Sequence, residues 1–330
     1  MERVRNLKHV FILNPMAGKK DRTPALKAEI KALFSGRDEN FEVVVTQYPG
    51  HAEQIARRCA AEGAETTLYA CGGDGTIGEV AQALPGNPQL ILAPVPAGTG
   101  NDFVRGLESL PGVRQRFSLS ALTGGQVVPL DLLMAGNRVS LNIASVGLDA
   151  AIAQHMVRFK RLPLIKGETA YKLSLLYCFF TSMRYRYQFE IDGDPQPEED
   201  CIFAVAANGR YYGGGFMAAP LADCQDGLID FISIPTLPRL RLLPMIGSYK
   251  RGEHLQKYDF IRFVRCRQVR ILSDRPVALN RDGEITPAQN PVIKILPAAA
   301  RLLLPAGSSV TLCGGSLNLL SASLPPLAEG

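Results

Sequence analysis

Along the first third of the chain, short apolar runs alternate with amphipathic stretches in a strand-then-helix rhythm. His9 to Leu13 is an apolar run that stops at Asn14-Pro15-Met16-Ala17-Gly18-Lys19, and a helical pattern follows near Pro24 to Phe34. Phe41 to Thr46 is rich in β-branched residues and passes through Tyr48-Pro49-Gly50-His51 into a helix from Ala52 to Glu62. Thr67 to Cys71 empties through Gly72-Gly73-Asp74-Gly75-Thr76 into a helix from Ile77 to Ala83, and Gln89 to Val95 leads into Pro96-Ala97-Gly98-Thr99-Gly100-Asn101-Asp102-Phe103. Four successive strand–turn–helix units predict a doubly wound, Rossmann-like α/β sheet. The loops all leave from strand C-terminal ends and share the edge where such sheets bind ligands.

After Gly125 the texture changes. Val127 to Met134 and Arg138 to Ser145 read as strands joined by the turn Ala135-Gly136-Asn137, and two helical patterns follow, Ala150 to Phe159 and Glu168 to Met183. Short strands then dominate: Arg186 to Ile191, Cys201 to Ala207, Leu228 to Ile234, Phe260 to Cys266, Gln268 to Leu272 and Pro291 to Leu296. The pattern predicts an α/β nucleotide domain over 1–130 and a β-sandwich or barrel-like domain over 131–330. The last residues either return to the first domain or end as a loose tail from Ser321 to Gly330.

Composition narrows this picture only a little. The 36 basic and 31 acidic residues among 330 leave +5, which admits phosphorylated ligands or an anionic surface and does not call for nucleic acid. Seven cysteines show no CxxC pair and no histidine at metal spacing, so they read as buried thiols in a reducing cytosol. The longest apolar run, Leu173 to Phe180, falls short of the roughly 18–20 residues needed to span a bilayer, and the N-terminal apolar segment is too short for a signal peptide. The expectation is a cytoplasmic protein that touches membranes at most transiently.

The run from Gly72 to Thr76 carries the most chemistry. Glycines opening into a helix N-terminus bring backbone N–H groups to an anion. Asp74 is out of place in a bare anion site, and a carboxylate beside phosphate implies a cation between them, most simply Mg²⁺. A P-loop is excluded, because Gly18-Lys19 is followed by Lys20 and no other run fits. Gly73, Gly75 and Gly78 satisfy GxGxxG formally, but after the third strand and without the expected acidic residue. Protein-kinase signatures are absent.

Asn14-Pro15 with Gly18, Gly72 to Thr76, and Pro96 with Gly98-Thr99-Gly100-Asn101-Asp102-Phe103 together resemble the diacylglycerol kinase catalytic-domain superfamily, specifically its soluble bacterial lipid kinases. The resemblance continues through Thr46 with Gly50-His51-Ala52, Asn208-Gly209 with Tyr212-Gly213-Gly214-Gly215, Asp226-Gly227-Leu228 and Asp282-Gly283-Glu284, from about residue 9 to 296. It implies ATP- and Mg²⁺-dependent phosphorylation of a lipid hydroxyl, with diacylglycerol the leading acceptor. By motif position, Asn14, Thr46, Gly72, Gly73, Asp74, Gly75, Thr76, Thr99, Asn101 and Asp102 would hold nucleotide, phosphates and catalytic Mg²⁺. Asp282 would take the proton of the lipid hydroxyl. A second, structural Mg²⁺ would sit on the carbonyl of Asp223, the side chain of Asp226 and the carbonyl of Leu228. Gly78 stands where such proteins often carry Asn, and the carboxylate of Asp223 is left without a role by this assignment.

Plainer readings stand beside these. Arg281-Asp282-Gly283 and Asp226-Gly227 are ordinary turn signals, and Asn101-Asp102 can serve as a helix cap. His51 is expected to cap or pack rather than act as a base. Two mixed basic and apolar patches suggest contact with an anionic bilayer: Arg158, Lys160, Arg161, Lys166 and Lys172 around Leu162, Leu164 and Ile165, and Arg239, Arg241, Lys250 and Arg251 near Leu242, Leu243 and Met245. Solvated helix faces explain both equally well. Other hydroxylated lipids such as phosphatidylglycerol or a sphingoid base, NAD kinase, and a nucleotide-binding regulator without turnover are the alternative functions, and a homodimer stays open.

Overall fold

The computed structural model describes residues 7–34, 40–159, 173–174, 177–178 and 184–309. The described residues form two compact units, the first from those within 7–99, 107–130 and 298–309, the second from those within 100–106 and 131–297. The predicted helix Glu168 to Met183 falls almost wholly outside the described residues.

In the first unit β1 (Lys8–Leu13), β2 (Phe41–Val45), β3 (Thr66–Gly72) and β4 (Leu90–Pro96) pair in parallel in the order β2-β1-β3-β4. Helices α1 (Thr23–Phe34), α2 (His51–Glu62) and α3 (Asp74–Ala81) connect them in turn. Every residue of β3 is buried, which is why it reads as a continuous apolar run: a central parallel strand is covered on both faces. After β4 come α4 (Asp102–Glu108) and α5 (Leu119–Leu122). Residues 298 to 304, the second half of a long strand, return to this unit and pair in parallel with β4 through Leu302 and Leu92.

The second unit is antiparallel. It contains the second half of β5 (Gln126–Ala135), then β6 (Arg138–Ser140), β7 (Ile143–Gly147), α6 (Leu148–Phe159), β8 (Tyr185–Ile191), β9 (Asp194–Ala207) and β10 (Ile229–Pro235). Helices α7 (Arg239–Arg251) and α8 (His254–Lys257) follow, then β11 (Arg262–Cys266), β12 (Gln268–Leu272), β13 (Val277–Arg281), β14 (Glu284–Ala288) and the first half of β15 (Val292–Leu304). The order β14-β13-β7-β9-β8-β12-β15 builds the main sheet, and β10 joins β9 to β11. The central strands are buried on both faces. In β9, Ala204 and Ala206 enter the core shared with Phe189, Phe231 and Leu279, whereas Phe203, Val205 and Ala207 enter a second core with Leu242, Met245 and Tyr249 of α7.

Several elements differ from the sequence expectation: β9 begins at Asp194 rather than Cys201, β15 runs on to Leu304 rather than ending at Leu296, and β13 and β14 were not anticipated as strands. Helix α3 begins at Asp74 rather than Ile77. The run Arg138 to Ser145 is broken at 141–142, because the N–H groups of Leu141 to Ile143 are taken by the Asp282 carboxylate. Helix α7 was hidden by Pro238 at its start and Pro244 within it, which obscure a helical pattern in sequence.

His254 lies fully buried against Tyr249, ring centroids 4.6 Å apart, and burial pushes its imidazole down to about 4, the Ala218 backbone offsetting only part of this. A base with a lowered folded-state pKa stabilises the protein above its unfolded value of 6.5 and loses that stability as pH falls toward the folded value. His254 therefore makes the fold less stable by about 2 kcal/mol at pH 5 than at pH 7.5. Replacing it with Phe should remove that share of the acid loss in urea melts at the two pH values. An unchanged pH dependence would show that the ring is not the group responsible.

Candidate active site

The strand ends of the first unit meet in three interlocked loops. Asn14, just past β1, donates its backbone N–H to the carbonyl of Cys71 and its side-chain N–H to Thr76 Oγ1 at 2.9 Å. Its own Oδ1 accepts from Met16 N–H, which turns the loop outward. Gly72 accepts from the N–H groups of Ala97 and Gly98, tying the loop after β4 to the loop after β3. No other residue fits at Gly72, since a Cβ there would lie 2.2 Å from Thr76 Oγ1. Thr46 donates N–H to the carbonyl of Leu13 at the neighbouring strand end. The framework places Gly73, half-buried Asp74 and exposed Gly75 at the first turn of α3, beside exposed Thr99. This is a helix N-terminus with glycines and one carboxylate, suited to phosphate together with a cation.

Sequence reading missed Glu79. Its carboxylate, projecting from α3, accepts from the N–H groups of Gly50 at 2.8 Å and Ala52 at 3.1 Å and so caps α2. His51 accepts from Gln47 N–H and stacks on Tyr48, a packing role.

Asn101 and Asp102 fall in the second unit. The Asp102 carboxylate is buried, pairs with Arg105 one turn along α4 and accepts from Gly214 N–H at 2.6 Å, anchoring the glycine turn between Tyr212 and Phe216. Arg105 also lies over the Tyr211 ring. Of the two Asp102 carboxylate oxygens, then, one accepts from a guanidinium and the other from a backbone amide.

Asp282 occupies a two-residue turn between β13 and β14, with φ of 46° at Asp282 and 98° at Gly283 and with Arg281 facing Glu284. Both successive positive φ values match the hairpin geometry that Asp-Gly favours. The turn does not exhaust the residue. Its carboxylate accepts from Leu141 N–H at 2.6 Å, Asn142 N–H at 3.2 Å and Ile143 N–H at 2.9 Å. Three donors fix the group in place. From the other side, Asn208 donates Nδ2 to the carbonyls of Leu141 and Asp131, and its N–H to the carbonyl of Asn142. An Asn-Gly after an apolar strand was the available signal for Asn208.

The loop from Asp223 to Leu228 is tied to the same network, because Asp131 accepts from Gly227 N–H at 2.7 Å. Within it Asp223 Oδ1 accepts from Gln225 N–H and Asp226 Oδ1 from Leu228 N–H. Burial, with Asp223 adding, pushes the Asp226 carboxyl above its usual range. Burial likewise pushes Asp230 up to about 6 although Arg265 opposes it, and Asp230 Oδ2 is buried without a partner. Arg265 lies 3.8 Å from Asp226 and 3.1 Å from Asp230 and compensates part of this charge; carboxylates and carbonyls so clustered are also ligands that a hard divalent cation accepts. Among the described residues no group of three His, Cys, Asp or Glu side chains is arranged to hold a metal, so backbone carbonyls would have to complete the set.

Residues 8–135 match the family described as the diacylglycerol kinase catalytic domain, and residues 142–304 match the YegS C-terminal NAD kinase beta sandwich-like domain. The "Probable lipid kinase YegS-like" protein of Pseudomonas aeruginosa is 31% identical over 85% of this chain and 91% of its own. The diacylglycerol kinase of Mycobacterium tuberculosis is 25% identical over 89% of this chain and 94% of its own. A crystal structure of a diacylglycerol kinase from Bacillus anthracis, 23% identical, superposes with a TM-score of 0.68 over 91% of this chain and 97% of that one, a likeness of fold. Among the described residues no helix is long and apolar enough to cross a membrane.

Proposed function

This chain belongs to the YegS-like lipid kinases, which join a diacylglycerol kinase catalytic domain to a YegS-type C-terminal domain, and from that premise we propose that it transfers the γ-phosphate of ATP to the hydroxyl of a lipid, diacylglycerol first among candidates. The observation that carries the reading is the set of interlocked loops at Asn14, Gly72 to Thr76 and Ala97–Gly98, with Asp74 at the start of α3. Phosphoryl transfer asks a protein mainly to position phosphates, neutralise charge and orient the attacking hydroxyl.

In this reading Thr46, Gly72 to Thr76 and Thr99 surround the nucleotide, and Asn14 holds Thr76 in place. Mg²⁺, when bound, screens the phosphate oxygens; Asp74 is the residue to hold it in the first unit, and Asp226 with the carbonyls of Asp223 and Leu228 would hold a second ion. Asp102 acts through the Gly214 turn that it anchors, rather than by facing phosphate directly. Asp282 accepts a hydrogen bond from the lipid hydroxyl, orients it, and takes its proton as the new O–P bond forms and the bond from the γ-phosphorus to the bridging oxygen of ADP breaks. A carboxylate held by three N–H groups suits this task, since a loose transition state rewards alignment more than basicity.

The test is a panel of diacylglycerol, phosphatidylglycerol, a sphingoid base and NAD, each given γ-labelled ATP with Mg²⁺. Label in phosphatidic acid supports the full reading, label in another lipid moves the acceptor, and label in NAD alone or in nothing overturns it.

A further inference from the structure

The inference concerns one end of the second unit, where β10 leaves the sheet and α7 begins. Helix α7 faces inward with Leu242, Met245 and Tyr249, all buried in the core against β9 and β10. Two of the apolar residues that the sequence suggested for a membrane patch, Leu242 and Met245, are thus spent on the fold. The other predicted patch, around Arg158 to Lys172, lies almost wholly outside the described residues. On the outer side, Leu240 is 82% exposed and Pro244, one turn on, is exposed as well.

Their surroundings are cationic. Arg239 and Arg241 flank Leu240 and are exposed, in a first helical turn that contains no acidic residue. Positive side chains there oppose the helix dipole. The pairing of Ser233 with Arg262 brings the exposed ring of Phe260 toward Pro235, from which the chain leaves for α7. Thr236 N–H donates to the Asp200 carbonyl, which brings in Arg184 and Arg186, two exposed side chains sharing one Asp200 carboxylate. Glu198 and Glu199, on the stretch of β9 that Arg262 contacts, and Asp259 are the other acidic groups at this end, so it carries five arginines against four carboxylates. At the far end of α7 the charge is already engaged, Arg251 with Glu253 and Lys250 over Phe216.

We propose that this headland is the surface by which the protein docks on an anionic bilayer, with Leu240 entering the interface and Arg239 and Arg241 meeting lipid phosphates. Charge complementarity selects that occupant: an apolar tip ringed by arginines gains from headgroup charge and from burial of Leu240 together. The inference rests on the lipid-kinase reading for its purpose but not for its test.

The chain contains no tryptophan, so Leu240→Trp makes a single-site reporter at a position exposed enough to leave the fold unchanged. Its emission should shift to the blue on adding phosphatidylglycerol-rich vesicles, be quenched by brominated acyl chains, and stay unshifted with pure phosphatidylcholine. Adding R239Q and R241Q should weaken the vesicle titration by roughly tenfold or more. Leu240→Glu, read by vesicle co-sedimentation, should lose binding independently of the reporter. No shift with anionic vesicles, an equal shift with neutral ones, or a shift that follows protein concentration alone and so marks a second copy would each overturn the proposal. Kinase activity on detergent-dispersed lipid should be unaltered by these substitutions; its absence in the unsubstituted protein would count against the lipid-kinase reading and leave the docking result standing.

Discussion

Replacing Asp282 with asparagine is expected to lower lipid phosphorylation by about a thousandfold and to cost about 2 kcal/mol of stability. The first effect follows from the proposed role, because an amide cannot take the hydroxyl proton. The second follows from the geometry alone. An asparagine placed here keeps one acceptor oxygen and turns an N–H group toward donors that the carboxylate now satisfies at Leu141, Asn142 and Ile143. From sequence, this substitution looks structurally silent; the hydrogen bonds say otherwise. Asp282→Ala should lose the same activity with a comparable or larger stability loss. Transfer by Asp282→Asn above a tenth of the original rate, in protein whose urea midpoint confirms folding, would remove Asp282 as proton acceptor.

Asp74→Asn should reduce kcat/KM for ATP roughly a hundredfold or more and raise the Mg²⁺ concentration needed for half-maximal rate. Asparagine preserves size and still suits a helix start, so stability should move by only about 0.5 kcal/mol through the lost charge at the positive end of α3. The contrast between a large kinetic and a small thermodynamic effect distinguishes a ligand-facing carboxylate from one that merely caps the helix. Kinetics measured across a Mg²⁺ titration decide the matter: an unshifted metal dependence would assign Asp74 to the fold.

The parallel sheet was readable because its inner strands β1, β3 and β4 are largely buried and its loops are full of glycine and proline, so pattern and turn chemistry agree from His9 to Pro96. Apart from β13 and β14, the antiparallel unit was readable as a set of strands, but not in its pairing. Its central strands are apolar on both sides, and nothing local says that Phe203 faces a helix while Ala204 faces the sheet core. Helix α7 was missed for a related reason. Its inward row is spaced helically, yet two prolines and the polar residues between hide it until a neighbouring strand supplies the surface it covers.

The candidate site divides in the same way. Gly72 to Thr76 and Asn14 could be picked out from the sequence because close backbone approach demands residue types, and those types are visible. Alone, then, the sequence determined the two textures of the chain, the phosphate-suited loop, and the presence of a carboxylate where an anion should bind. Only the tertiary structure decided what each carboxylate touches: Glu79 capping α2, Asp102 holding the Gly214 turn, and Asp282 clamped by three amides from a segment some 140 residues away in the chain. The reason is physical. A residue type restricts its own backbone and chemistry, but its hydrogen-bond partners are set by which distant strands share an edge, and that is a property of the whole packed chain.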